Sequence, residues 1–128
     1  MLAPPALNSQ TSTRSPQFTS AFNFGPGHDG NRTVGELVAE LLKHWPGRWE
    51  DRRGPLAAHE AGLLQFAIDK AQALLHWSPV WSFATAVEQT VSWYRETDGA
   101  PQKASELTVQ QIQRYQADAR AAGLPWAG

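Results

Sequence analysis

Thr33-Val34-Gly35-Glu36-Leu37-Val38-Ala39-Glu40-Leu41-Leu42-Lys43-His44-Trp45-Pro46-Gly47 is the stretch on which the fold turns. Thr33 with Glu36 three residues later is a capping box: the hydroxyl accepts from an orphan N–H and the carboxylate reaches back to the cap's own N–H. Val34, Leu37, Val38, Leu41 and Leu42 recur at i, i+3, i+4, i+7 and i+8, which is the single apolar stripe of an amphipathic helix. Trp45-Pro46-Gly47 ends it.

Upstream lies Gly25-Pro26-Gly27-His28-Asp29-Gly30, which spells G-x-G-x-x-G between an apolar run and a helix, with Glu50 and Asp51 some way on. That pattern is the dinucleotide fingerprint, but two features of the sequence speak against it. In the true motif the helix opens within the glycine run, so that its N–H groups face a pyrophosphate. Here the capping box starts the helix at Thr33, after all three glycines, and Pro26 removes an N–H where a phosphate needs one. A connecting loop is the better reading. Before it, Ala21-Phe22-Asn23-Phe24 reads as a short buried strand. Residues 1–20 have loop composition, polar and without period, and read as a poorly ordered N-terminal segment preceding a domain at 21–128.

Downstream, Arg48-Trp49-Glu50-Asp51 alternates and reads as a second short strand. Residues 57–76 admit one long helix. Gly62 and the apolar pair Leu63-Leu64 favour a break near 62–68, with a strand at 63–66 and a helix from Asp69 to His76. Pro79 prevents continuation. Ser82 is an N-cap, and Phe83, Val87, Val91 and Tyr94 mark a helix to about Thr97, closed by Asp98-Gly99-Ala100-Pro101. Thr108 with Gln111 spells a second capping box. Val109, Ile112, Tyr115 and Ala119 then line a last helix that ends at Gly123, with Pro125 behind it. No internal repeat is visible.

The chain has 128 residues, one domain's worth, of which 41% are hydrophobic, with a net charge of −1 and six Trp. A domain of this size removes about two-thirds of its unfolded surface from water. The charge balance offers no basic face, so nucleic acid is not an expected partner. No apolar run approaches the ~18 residues of a membrane span, and the first residues lack the charged and apolar regions of a secretory signal. The absence of cysteine excludes disulfides and thiolate metal sites, and fits a cytoplasmic protein. The aromatic residues at helical spacing read as core rather than ligand-stacking positions.

His59 and Glu60 follow a basic run, Arg48, Arg52 and Arg53. Guanidinium forks suit a diphosphate, and His and Glu bond sugar or ribose hydroxyls. On spacing alone a solvated surface run is the simpler reading. No metal site is expected, since His28, His44, His59 and His76 show no ligand spacing. No G-x-S-x-G elbow is present. Lys70 reads as a helix-surface lysine.

An ordered series of pieces shifts this balance: Ala21-Phe22-Asn23-Phe24-Gly25-Pro26, Asn31-Arg32-Thr33-Val34-Gly35-Glu36-Leu37-Val38, His59-Glu60-Ala61, Lys70-Ala71, Leu75-His76-Trp77-Ser78-Pro79, Thr90-Val91-Ser92-Trp93-Tyr94 and Leu107-Thr108-Val109-Gln110-Gln111-Ile112-Gln113-Arg114-Tyr115. Over roughly residues 18–116 the series resembles the C-terminal part of the CDP-glucose 4,6-dehydratase family, a branch of the extended short-chain dehydrogenases/reductases. The Trp-Ser-Pro and Thr-Val-x-Trp-Tyr pieces are widely shared among extended members. The Phe-Asn-Phe-Gly-Pro, His-Glu-Ala and Gln-Ile-x-x-Tyr pieces point to the CDP-glucose branch.

The resemblance implies a lyase of carbohydrate biosynthesis that converts CDP-glucose to CDP-4-dehydro-6-deoxyglucose and water. NAD is held in an N-terminal Rossmann domain, and a smaller C-terminal region closes over the nucleotide sugar. It implies His59, Glu60 and Arg53 as substrate contacts that position rather than catalyse. Departures matter. Neither tyrosine has a lysine four residues on, so no Tyr-x-x-x-Lys pair is present, and this chain alone is expected to be inactive and to bind no NAD. The family's Leu-Gly-Trp reads Leu75-His76-Trp77, and the aspartate of its Leu-x-Leu-Asp-x-Ser-Lys-Ala segment is Ala67.

The expectation is therefore a small α+β domain, mostly helical with about four helices and a few short strands, acting as a substrate-binding lobe that lacks the parent Rossmann domain. Its expected partners are CDP-glucose and a Rossmann domain in cis or in trans. An apolar patch exposed in the isolated lobe would also allow self-association. The alternatives are a non-catalytic remnant or binding module, or the same part of an enzyme acting on a dTDP-, GDP- or UDP-sugar.

Overall fold

The protein is described by a computed structural model, which covers residues 18–27, 30–52 and 66–128. Among the described residues there are four helices, α1 (Val34–His44), α2 (Asp69–Leu75), α3 (Phe83–Thr97) and α4 (Ala104–Ala121). Two short 3-10 turns, Pro101–Lys103 and Pro125–Ala127, flank α4. Helix α3 is the centre of the arrangement: α1 packs on one side of it and α4 on another.

Helix α1 begins as its sequence dictates. Glu36 N–H donates to Thr33 Oγ1 at 3.2 Å, and Thr33 N–H donates to Glu36 Oε2 at 2.7 Å. These two bonds hold the Glu36 carboxyl below the usual glutamate range, the backbone N–H of Thr33 being the larger cause. The other end is closed by a neighbour. Arg95, on α3, donates through Nη1 to His44 O at 2.7 Å, which satisfies one of the last turn's orphan carbonyls with a cation.

Helix α3 starts at Ser82, whose Oγ accepts from Thr85 N–H at 3.2 Å. It carries the core: Val87 and Val91 are buried, and so is Gln89. Burying a valine contributes about 1.5 kcal/mol. Two polar bonds fix α4 against it, Trp93 Nε1–H to Thr108 Oγ1 at 3.0 Å and Gln111 Nε2–H to Gln89 O at 2.6 Å. Helix α4 closes with Gly123 at φ +69°, the left-handed position that glycine adopts freely. Leu124 N–H then reaches back to Ala119 O at 3.0 Å, the long bond of a Schellman motif.

Beyond α4 the chain turns back on itself. Trp126 Nε1–H donates to Ser78 O at 3.0 Å, and its ring stacks on Tyr115 with centroids 5.7 Å apart. Tyr115 in turn meets Trp81 edge-on at 4.8 Å, and Trp81 Nε1–H donates to Asp118 Oδ2 at 2.8 Å. Each indole in this cluster has a partner for its N–H, the condition for half-burying a tryptophan without a polar cost.

Several expectations are corrected. The α+β fold class is replaced by an all-helical one: among the described residues there is no strand. Residues 21–24 and 48–51 are irregular. Of the strand expected at 63–66, only Phe66 lies among the described residues, and it is in a loop. The reason is that alternation is only half of a strand, which also needs a partner ladder. The second capping box is also overturned. Helix α4 starts at Ala104, so Thr108 is interior, and its hydroxyl donates to Ala104 O at 2.7 Å while accepting from Trp93. Of the aromatics read as core, Trp81, Tyr115 and Trp126 are half-buried in one cluster, whereas Tyr94 is exposed.

Candidate functional site

A cleft of about 690 Å³ opens between α1, α3 and the turns leading into each of them. Its floor is Val87, Val91 and Tyr115, from the packed half of the molecule. One wall is Leu37 and Leu41 of α1, with Val34 at the rim. The other is aromatic: Trp77, Trp81 and Phe24 line it, with Phe24 edge-on to Trp77 at 5.0 Å. The polar groups of the lining are Asn31, Arg32, Thr33, Ser82 and Thr90. An apolar trough with a few convergent polar groups is the usual form of a small-molecule site.

The sequence explains how these residues converge. Pro79 stops the chain after α2, and Ser82 restarts it as α3, so residues 77–82 cross the mouth of the cleft. Helix α2 ends on His76 at φ +52°, and Trp77 N–H reaches back to Ala71 O at 3.2 Å, which turns the Trp77 ring inward. On the opposite side Pro26 and Gly30 approach closely. Gly30 N–H donates to Gly27 O at 2.8 Å, and a Cβ on Gly30 would stand 2.4 Å from Pro26 Cβ. Glycine is required there for close approach to the proline, with no phosphate involved.

This geometry also tests the fit of NAD to the glycine run. The N-terminus of α1 already holds the Glu36 carboxylate of its own capping box. That carboxylate occupies the helix end that an anion would otherwise approach. Among the described residues no cluster of three His, Asp or Glu side chains could hold a metal ion.

Arg32 lies at the rim, its guanidinium 5.4 Å from the Phe83 ring centroid and its Nη1 donating to Asn31 O at 2.8 Å. A shallower hollow of about 460 Å³ continues past it between Glu36 and Glu40 of α1 and Phe83 and Ala84 of α3. Glu40 is held ionised below the usual range, first by the Lys43 ammonium, and also by His44, whose Nε2 is 3.5 Å away.

The sequence-expected contacts His59, Glu60 and Arg53 lie outside the described residues. Of the basic run before them, Arg52 is described, and it is paired with Glu50 through Nε and Nη2 at 3.1 and 3.0 Å on an exposed surface. The cleft residues Trp77, Trp81 and Arg32 were not among the sequence candidates. For the two tryptophans the signal was the pair of breakers, Pro79 and Ser82, with Trp77 just before the first and Trp81 between them. Lys70 was read as a surface lysine. It is an exposed residue of α2, and its Nζ also has two acceptors, Ser20 Oγ and Ala21 O, each at 2.9 Å, and the face of the Phe22 ring at 4.8 Å.

Against this geometry stand the known proteins. Over 85 residues, 65% of the chain, the sequence is 28% identical to a CDP-glucose 4,6-dehydratase of Salmonella typhimurium. The chain spans 23% of that relative's length. The likeness supports a distant relationship to a sugar-nucleotide dehydratase. No family model matches the chain, and no solved structure matches it. Among the described residues, no helix is long and apolar enough to cross a membrane.

Proposed function

We propose that this chain is the nucleotide-sugar-binding part of a dehydratase similar to CDP-glucose 4,6-dehydratase, with CDP-glucose as its ligand. The observation that carries the reading is a coincidence of place. The cleft lies within the stretch where the chain resembles that family, and its lining combines aromatic faces with an arginine and hydroxyl rim. Aromatic walls suit a nucleobase and a sugar ring. A guanidinium suits a diphosphate. His59, Glu60 and Arg53 are proposed as further contacts to the sugar, the ribose and the diphosphate.

The role is positional. In a dehydratase of this kind the sugar C4 must be held against a nicotinamide, and the gain comes from orientation. The hydride relay itself is assigned to no residue of this chain. A Rossmann domain, in cis or in trans, would supply NAD and the catalytic tyrosine and lysine.

Calorimetric titration of the chain with CDP-glucose, UDP-glucose, GDP-mannose and dTDP-glucose tests the reading. Tightest binding to CDP-glucose, weakened on the order of tenfold by His59→Ala or Glu60→Ala, is the expected result. Preference for another nucleotide sugar would move the chain to a different branch of dehydratases or epimerases. Heat from none of the four would overturn the reading and leave a remnant or a module for some other partner.

A further inference from the structure

The segment at 18–26 has neither helix nor strand, yet Phe24, Gly25 and Pro26 at its end line the cleft. A wall of irregular backbone needs something to hold it, because each residue so fixed costs about 1–2 kcal/mol of conformational entropy. One tie comes from a side chain nearly fifty residues away. Lys70, in the first turn of α2, donates from Nζ to Ser20 Oγ and to Ala21 O, each at 2.9 Å, and the same ammonium lies 4.8 Å from the centre of the Phe22 ring. Three consecutive residues are thus gripped by one charge. An ammonium carries three donors and no acceptor, and here two hydrogen bonds and a cation–π contact use its capacity.

We propose that Lys70 is a positioning residue for the cleft: by holding Ser20, Ala21 and Phe22 it sets Phe24 against Trp77 and so fixes the aromatic wall. The link is short. Phe24 is two residues beyond the gripped Phe22, and its ring stands edge-on to Trp77 at 5.0 Å. Trp77 is two residues beyond α2, the helix that carries Lys70. The lysine therefore joins the two elements whose rings form the wall, one from each side. Gly25 completes the seat, since a Cβ there would lie within 3.7 Å of both Phe66 and Ile68, at the entrance to α2. This rests on the proposed function only for what the cleft binds.

The experiment compares wild type, Lys70→Met, Lys70→Arg and Ser20→Ala by proton NMR and by titration with CDP-glucose. In wild type the Lys70 ε-methylene protons should be shifted upfield by the Phe22 ring current, and the Phe24 and Trp77 rings should give cross-relaxation. Lys70→Met should lose the Phe24–Trp77 cross-peaks and bind CDP-glucose on the order of tenfold more weakly, with its helical circular dichroism unchanged. Lys70→Arg should restore much of both, and Ser20→Ala should weaken binding less than Lys70→Met. Should Lys70→Met lose helix as well, the comparison rests on Ser20→Ala, which leaves the charge in place. Cross-peaks and affinity unchanged in Lys70→Met would overturn the proposal. Cross-peaks lost in a protein whose wild type binds no CDP-glucose would uphold the positioning role and overturn the assigned ligand instead.

Discussion

Helices α3 and α4 and helix α1 are built from similar amphipathic patterns, and they are used in opposite ways. The α3–α4 half is closed along its inner seam, although Tyr94 of α3 and Val109 and Ile112 of α4 stay exposed on the outside. Its apolar side chains Val87, Val91 and Ala119 are buried, its indoles are hydrogen-bonded, and its last helix ends in a Schellman turn. Helix α1 has no buried residue at all. Val34, at 69% exposure, is followed by Leu37, Leu41 and Trp45, still between 37% and 42% exposed. These four recur at i, i+3, i+7 and i+11, so they form one uncovered line down the helix. A stripe that packs completely makes a core, whereas one that packs along a single edge leaves the other edge facing a cleft. In this molecule the second arrangement is where a ligand has room.

The comparison breaks hardest in the closed half. Trp126→Ala removes a stacked ring and orphans Ser78 O, and should cost about 3 kcal/mol of stability, read as a fall in the denaturant midpoint. A loss no larger than that of a surface substitution would mean the aromatic cluster is peripheral. Next in size is the tie between the halves. Arg95→Met removes the cation that satisfies His44 O, and should cost about 1 kcal/mol. Hydrogen exchange should quicken in the last turn of α1 while α4 is unchanged.

The open edge of α1 sharpens the contrast from the other side. Leu37→Asn and Leu41→Asn should each cost only about 1 kcal/mol, because both residues keep about two-fifths of their surface in water. The same pair should abolish binding of an apolar dye such as anilinonaphthalene sulfonate. Strong destabilisation with dye binding intact would show that the line is core after all. The smallest effect is the pH response of the α1 cap. Glu36 has its folded-state pKa depressed by Thr33, so its contribution is present above the ordinary glutamate pKa and is lost as pH falls through the folded value. Acid titration to below the ordinary glutamate range should therefore fray the first turn of α1 in wild type. Glu36→Gln should show no such response.

How much of this was legible in the sequence follows from the range of each interaction. Thr33 and Glu36 bond each other three residues apart, so their motif could be read directly. The same spelling at Thr108 and Gln111 misled, because both side chains reach across to α3, and only the tertiary packing says so. Phe22 and Phe24 alternate like a strand, but their partners are a lysine and a tryptophan rather than a neighbouring ladder. Lys70 looked idle because its contacts lie 49 and 50 residues upstream. The proposed contacts His59, Glu60 and Arg53 came from resemblance, and they lie outside the described residues. The cleft itself is a long-range product, since Phe24, Leu37, Trp77, Val91 and Tyr115 share nothing in sequence except the space they enclose.

His76 shows how a turn can be kept by its bonds rather than by its residue type. It holds φ +52° and ψ +27°, a left-handed conformation that costs most side chains about 1–2 kcal/mol and costs glycine almost nothing. The N–H groups of His76 and Trp77 both reach back to Ala71 O, and these bonds hold the turn. The backbone here follows the path a glycine would choose, although the letter is histidine. A sequence read by residue preference alone would miss this turn, because its signal lies in dihedral angles and not in the residue that adopts them.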